Sequence, residues 1–501
     1  MDMSDAPVFS GFIEEFGLWT HEQQEAAKKI AAMAENGELK TFRVSVPDAQ
    51  SKLRSKTLLP GAFKSALRDG VEFTSAYFSF DSAEGVAFNP FSKEGGLGMD
   101  EMHGFSNAIL VPDPLTFRVL PWAPTVGWVL CDIYLRDGRP VPFDGRYQLK
   151  SAISRLKNLG FKLVTGLEVE FYVTRVTDQN LGEQNMGGLG VPPAPPSVEA
   201  LWRGFSYMSE DQQDKISEIT DTLAENCLAL GLPLRTMEDE MGPGQLEFTF
   251  DVQDPLEAAD SMVLFRSMVK QTMARMGLHA TFMAKPIFSS FVASGWHLHQ
   301  SLSAPGVPNA FVAAPNSEEV LSPTGLSYVA GLLEHAVEAS VFTNPTINGY
   351  RRRKPNSLAP DRSTWGYDNR AAMVRVQGRP RHMSGHIENR IGEPTANPYL
   401  YIASQILSGC DGLERKLHPG PMESNPYEAT HRPKLPTNLM EATEALDKSE
   451  FFRSAMGDGF INWLVTMKKS EINRFLAAEP NWEQKPDVVT QWEHHEYFTR
   501  Y

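Results

Sequence analysis

Along a β-strand, residues two apart face the same side, so charge at every second position strongly limits what that strand can pack against. Four separate segments of this chain carry such a pattern. Glu168-Val169-Glu170 sets two carboxylates on one face. Gln245-Leu246-Glu247 sets an amide and a carboxylate, with Glu240 just upstream. His297-Leu298-His299 sets two imidazoles, and His386-Ile387-Glu388-Asn389-Arg390 an imidazole, a carboxylate and a guanidinium. The residues between are mainly apolar (Leu167, Val169, Phe171, Leu246, Leu298, Ile387), so the other face belongs in a core. A single pair of this kind reads as the solvated face of an antiparallel sheet. Four together, with two His beside the acids and little Lys, point to bound cations, because massed carboxylates repel one another unless neutralised. Carboxylates with His suit a hard divalent ion, Mg2+ or Mn2+. A zinc site would draw on Cys. The chain has only Cys131, Cys227 and Cys410, widely spaced, which is neither a disulfide framework nor a zinc cluster and fits a reducing cytoplasm.

A second constellation is basic. Arg352, Arg370, Arg375 and Arg390 lie close together in the sequence. Arg forks grip carboxylates and phosphates with paired hydrogen bonds. Each Arg alone reads equally as half of a surface ion pair. Metal ions plus several Arg are the equipment of phosphoryl transfer, where positioning and charge neutralisation dominate. The chain has no Gly-rich Walker loop, so ATP would be held by metals, Arg and strand backbone.

The length of 501 residues predicts two domains. Strand-like alternation at Phe42, Val44 and Val46, and runs at 108–111 and 127–135, follow a helix over 21–36 and predict a small mixed domain over 1–140. The remainder, 141–501, mixes elements: helices near 147–158, 210–230, 254–277 and 323–341, strands near 160–176, 233–251, 281–302 and 371–391, and a helical tail from 397. Residues 178–199 are rich in Gly, Pro and Asn and read as a surface loop. The fold class is α+β with a barrel-like larger domain. A formal charge of −15 argues against nucleic acid, and the isolated Arg351–Lys354 run reads as an anion site. No apolar run approaches the ~20 residues of a membrane span, and the first residues resemble no leader. A cytoplasmic protein is expected.

The same segments carry a family resemblance. GLEVEFYV (166–173), EMGPGQLEF (240–248), ASGWHLHQSL (293–302), NPTINGYRRR (344–353) and IENRIGEPTANPYLY (387–401) resemble, in order and spacing, the type I branch of the glutamine synthetase superfamily. PDAQSKLRSK (47–56) and WEHHEYF (492–498) agree more weakly. The resemblance implies that Glu170, Glu240 and Glu247 hold one metal and that Glu168, His297 and Glu388 hold a second. Two or three ions per site, Mg2+ or Mn2+, would act with ATP. Arg352 and Arg390 would hold L-glutamate beside the backbone of Gly295. Arg370 and Arg375 would hold ATP phosphates and the transferring phosphoryl group, with His299 and Ser301 near the nucleotide. It further implies an N-terminal β-grasp domain and a catalytic domain on a curved antiparallel sheet. Subunits would form two stacked hexameric rings, a dodecamer, with active sites between them. The activity implied is ligation of the γ-carboxylate of L-glutamate to an amine through γ-glutamyl phosphate.

Two departures from the family concern the amine. Six residues after Arg352 the family carries a Glu that helps hold ammonium; here the position is Leu358. The family's Asp-Gly-Ser-Ser segment also has no clear counterpart in 78–105, where Asp81 followed by Ser82 is the nearest fit. Losing an anion there weakens binding of a cation but not of a neutral amine. Phe80, Phe88, Phe91 and Leu97 offer an apolar wall. The expected acceptor is therefore larger and more apolar than ammonium, such as an aniline. The alternatives are ammonium, alkylamine or polyamine, with Asp81, Glu94 or Asp100 supplying the acid. His386 stands where relatives often have an Arg. Two other classes compete: a metal-dependent hydrolase, for which the Arg cluster has no purpose, and a non-catalytic scaffold, against which all six ligand candidates argue.

Overall fold

The computed structural model describes residues 11–501 apart from 93, 94, 96, 98, 99, 355 and 485. Glu94 and the side chain of Asp100, offered above as replacement acids, lie outside the described residues.

The first sheet contains β1 (Thr41–Pro47), β2 (Leu53–Leu58), β3 (Val71–Thr74), β4 (Asn107–Pro112), β5 (Arg118–Leu120) and β6 (Ala123–Tyr134) in the order β2-β1-β6-β4-β3, with β5 also on β6. Only β1 and β6 run parallel among its pairs. The helix expected at 21–36 is present at His21–Glu35. A capping box between Thr20 and Gln23 opens it, satisfying backbone donors that the first turn leaves free.

The second sheet contains β7 (Lys162–Asp178), β8 (Ser197–Ala200), β9 (Leu234–Asp239), β10 (Gln245–Phe250), β11 (Leu278–Thr281), β12 (Trp296–Ser303), β13 (Trp365–Tyr367), β14 (Val374–Gln377) and β15 (His386–Asn389). Its order is β13-β14-β15-β12-β7-β10-β9, with β8 and β11 also on β7. It curls into a half-barrel, and the class is α+β. The central strand β7 is one run of 17 residues. Its buried side chains Leu167, Val169, Phe171 and Val173 face a layer of helices. Phe171 meets Phe265 of the helix Pro255–Arg275 at 5.8 Å between ring centres, and Trp296 meets Tyr401 of the helix Pro398–Glu414 at 4.9 Å. Each such buried side chain contributes about 1.5–3 kcal/mol. Because one face is committed to this core, the alternating acids and histidines are driven to the other.

Two expected helices are interrupted. The 210–230 helix breaks at Ile216 into Glu210–Lys215 and Ser217–Ala229. The 323–341 helix stops at Glu334, where His335 turns its ring onto Glu338 and Asp411.

The two sheets are tied by Arg146, which is 1% exposed and ion-pairs with Asp113, Asp132 and Asp260 at 2.6–2.8 Å. Asp113 and Asp132 come from the N-terminal part, Asp260 from the helix behind β7. Among the described residues, no helix is long and apolar enough to cross a membrane.

Candidate active site

Strand register arranges the charged face in three rows. In the first, Glu170 N donates to Gly295 O at 3.0 Å, Glu247 pairs with Glu170, and Glu238 pairs with Glu247. In the second, His297 pairs with Glu168, and Glu168 with Thr249. In the third, Arg375 pairs with Glu388, Glu388 with His299, and His299 with Gly166. The two-residue step along each strand becomes the step between rows, which is why four unrelated segments converge. Gly166 keeps the third row open: a Cβ there would lie 3.2 Å from the Cβ of His299.

Glu168 is the hub. Its Oε1 lies 2.5 Å from His297 Nδ1 and its Oε2 3.0 Å from His299 Nε2. Ligand atoms of Glu168, Glu247 and His297 come within 4.8 Å of one another, and so do those of Glu168, His299 and Glu388. This grouping differs from the resemblance, which gives Glu247 to the other acids and His299 to the nucleotide. Glu240, at the end of β9, accepts from Met241 N at 3.0 Å. Gln245 donates to Glu170 Oε2 at 2.9 Å and so aims that carboxyl.

Burial and mutual repulsion shape the acids. Burial, then Glu240, pushes Glu170 up to about 8 despite Arg352. Burial, then Glu168 and Glu170, pushes Glu247 up to about 10. Glu240 is raised too, chiefly by burial. Glu168 is instead held far below the carboxylate range, as His297 and His299 outweigh its burial. Burial and the neighbouring acids hold Glu170 and Glu247 protonated and shift Glu240 the same way; with two imidazoles alongside and, among the described residues, no Lys hydrogen-bonded to them, they form a donor set that fits divalent cations.

The arginines flank this cluster. Arg352 is buried and donates through Nη1 to Gly392 O at 2.7 Å and Ile391 O at 3.2 Å. Its Nη2 passes over Gly295, where a Cβ would sit 2.5 Å from it. Arg390 donates to Glu388 and, through Nε, to Arg370 O at 3.1 Å. Arg375 donates to Asp368 and to Glu388 Oε2 at 3.2 Å. Glu388, fully buried, therefore orients two arginines while facing His297 and His299. Arg370 is exposed, and among the described residues no ion pair closes on it. Ser301 lies two positions beyond His299 on β12, opposite Val164.

The Arg351–Arg353 run resolves into three roles. Arg351 pairs with Glu493 at 2.8 Å, and Arg353 donates to Pro436 O and stacks on Tyr350, so only Arg352 enters the site. The Arg351–Glu493 pair also explains the conspicuous WEHHEYF tail: it braces the NPTINGYRRR segment. Sequence reading missed Gln377 and Asp368, which hold Glu388 and Arg375. Gln377 sits two beyond Arg375 on the same strand face, a signal that was available; Asp368 lies in a loop and gives none.

The chain's similarity to known proteins now has a structural frame. Residues 142–486 match the sequence profile described as glutamine synthetase, catalytic domain. The chain belongs to the glutamine synthetase family. As a member it is a ligase forming carbon–nitrogen bonds, joining glutamate to an amine with ATP and divalent metal ions. It is 46% identical to a gamma-glutamylanilide synthase from Acinetobacter sp over 97% of this chain and 98% of that one. It is 36% identical to the glutamine synthetase of Thermus thermophilus over 83% of this chain and 89% of that one. The solved structure titled GmaS/ADP complex superposes with a TM-score of 0.75 at 27% identity, covering 91% of this chain and 98% of that chain.

The amine half departs from the charged half. Asp81 is 1% exposed and fully engaged by Arg474, Ser470 and the backbone of Ala83 and Gly85. Leu358 is 49% exposed with a φ of 61°, a left-handed conformation unusual for a bulky side chain. Phe91 is exposed with its ring edge on Phe105. Phe205, Tyr207 and Met208 also stand exposed. Their segment is stapled beside Glu240: Ser206 N donates to Met241 O at 3.3 Å, Met208 N to Asp239 O at 3.1 Å, and Ser209 N to Asp239 Oδ1 at 3.0 Å.

Proposed function

We propose that this ligase activates the γ-carboxylate of L-glutamate and passes it to an amine that is neutral and apolar, of the aniline class. The observation that carries the amine assignment is that neither position resembling the family's amine-binding acids presents a free carboxylate. Asp81 is bound to Arg474, Leu358 stands where the family has Glu, and the exposed trio Phe205, Tyr207 and Met208 sits beside Glu240. The Acinetobacter relative, named for its anilide product, supports the same reading. An aniline is unprotonated at neutral pH and needs no carboxylate to bind or deprotonate it; an apolar lining selects it instead. Ammonium, alkylamines and polyamines remain the competing acceptors.

Arg352, with Arg390 beside it, would hold the substrate glutamate against the Gly295 backbone. A γ-carboxylate oxygen attacks the terminal phosphorus of ATP, the bridging P–O bond breaks, and ADP leaves. Arg370 and Arg375 would bind the phosphates, Arg370 because its exposed side chain meets no ion-pair partner among the described residues, with Ser301 toward the nucleotide. Divalent ions held by Glu168, Glu170, Glu240, Glu247, His297 and Glu388 would neutralise the phosphate charge. The amine lone pair then attacks the γ-carbonyl carbon, phosphate departs with the C–O electrons, and the nitrogen gives one proton to the departing phosphate. Mg2+ or Mn2+, two or three per site, fits the oxygen-rich donor set. The family resemblance further supports a division into 1–140 (β-grasp) and 141–501, a cytoplasmic location, and a dodecamer of two hexameric rings with sites between subunits.

ADP release that requires both glutamate and an amine tests the reaction class. Turnover of a substrate by water alone, without ATP, would favour a metal-dependent hydrolase and contradict it.

A further inference from the structure

His386 and His299 form a directed pair. His386 Nδ1 lies 2.7 Å from Ser384 O, and a carbonyl can only accept, so Nδ1 carries the proton. Neutral His386 therefore presents a lone pair at Nε2, and His299 Nδ1 lies 3.1 Å from it. That contact holds only if His299 donates from Nδ1. The other ring nitrogen of His299, Nε2, faces the acceptor-only carboxylate oxygen Glu168 Oε2 at 3.0 Å, within the cluster that also includes Glu388, so by the same reasoning it holds a proton whose place a bound cation would take.

The turn that fixes this chain of bonds is itself built for it. Asn309 Nδ2 donates to Gly385 O at 2.6 Å and Met383 O at 3.0 Å. Gly378, with a φ of 82°, lets the Ser384 carbonyl approach: a Cβ at 378 would lie 2.2 Å from it. On β15, His386 pairs with Gln377, one strand away from His299.

We infer that His386 is a positioning residue that locks His299 with Nε2 toward Glu168 and Glu388, so that His299 serves as a cation ligand. Metal-bound histidines commonly donate their second N–H to an oriented acceptor, and loss of that acceptor typically weakens metal binding about 10–100-fold. The inference rests on the cation reading of the acid cluster and is independent of which amine reacts.

Mn2+ binding to the full-length protein, followed by electron paramagnetic resonance without ATP, glutamate or amine, tests it. His386→Leu keeps bulk but removes the acceptor; His386→Gln keeps an acceptor oxygen where Nε2 stands. The expected result is one class of Mn2+ sites weakened about 10–100-fold in the Leu variant. The Gln variant should stay within about threefold of the parent and the melting temperatures should match. Wild-type affinity in the Leu variant, or equal loss in both variants, would overturn the role of His386. No Mn2+ binding by the parent protein would overturn the cation reading beneath it.

Discussion

Asp81 Oδ2 accepts from Arg474 Nε at 2.9 Å and from Ser470 Oγ at 2.8 Å, joining the N-terminal part of the chain to the helix Asp458–Ala478. The one acid that resembles the family's amine-binding Asp is thus a structural partner. Asp81→Ala is expected to lower stability by about 3 kcal/mol, the cost of stranding the other half of a buried pair. The KM for the amine should stay within about twofold, because no amine contact is lost. Denaturant melts and steady-state kinetics on the same preparation check both; a large KM rise without destabilisation would restore Asp81 to the amine site.

Gly295→Ala places a methyl group 2.5 Å from Arg352 Nη2 and 2.9 Å from His297 Nε2. Arg352 is clamped by two carbonyls and cannot retreat without losing them. Efficiency with glutamate should fall about 100-fold, the scale expected when a positioning group is displaced by an ångström. Titration of glutamate dependence at saturating ATP reads this directly.

Cation binding should grow stronger with pH. Glu170 and Glu247 are raised to about 8 and about 10, so at pH 7 both hold protons that an incoming cation must displace. Affinity for Mn2+ rises as pH climbs toward 8, and each ion bound at pH 7 releases protons. Calorimetry in two buffers of different ionisation enthalpy counts them. Glu170→Gln should reduce the count; an unchanged count would contradict the assignment.

Tyr207→Asp introduces a carboxylate beside Glu240 and Arg370, whose charges already reach Tyr207. The ratio of efficiencies, aniline over ammonium, should drop at least about tenfold, since the new anion favours a cation and disfavours an apolar ring. An unchanged ratio would place the acceptor wall elsewhere.

Much of the charged half was legible because strand periodicity is local. Glu168 and Glu170, or His297 and His299, declare their shared face without knowledge of their neighbours. Which acid stands opposite which is a matter of register, and register depends on the whole sheet, so the partnership of Glu168 with both histidines had to be seen. His299 is the instructive case. Its spacing marked the correct face, but its contact with His386 depends on the backbone turn at 378–385. Asp81 was hard to read for the opposite reason: it is only the nearest local fit to the family's Asp, and its partner Arg474 lies far along the chain. At the helix end, His335 likewise has a partner distant in sequence, Asp411.

The central claim, that the chain ligates glutamate to a neutral apolar amine, is tested most directly by one panel. Efficiencies for aniline, short alkylamines, putrescine and ammonium are compared through ADP release at saturating ATP and glutamate. The account predicts the highest kcat/KM with aniline and only weak turnover of ammonium. Highest efficiency with ammonium or with the diamine would contradict it.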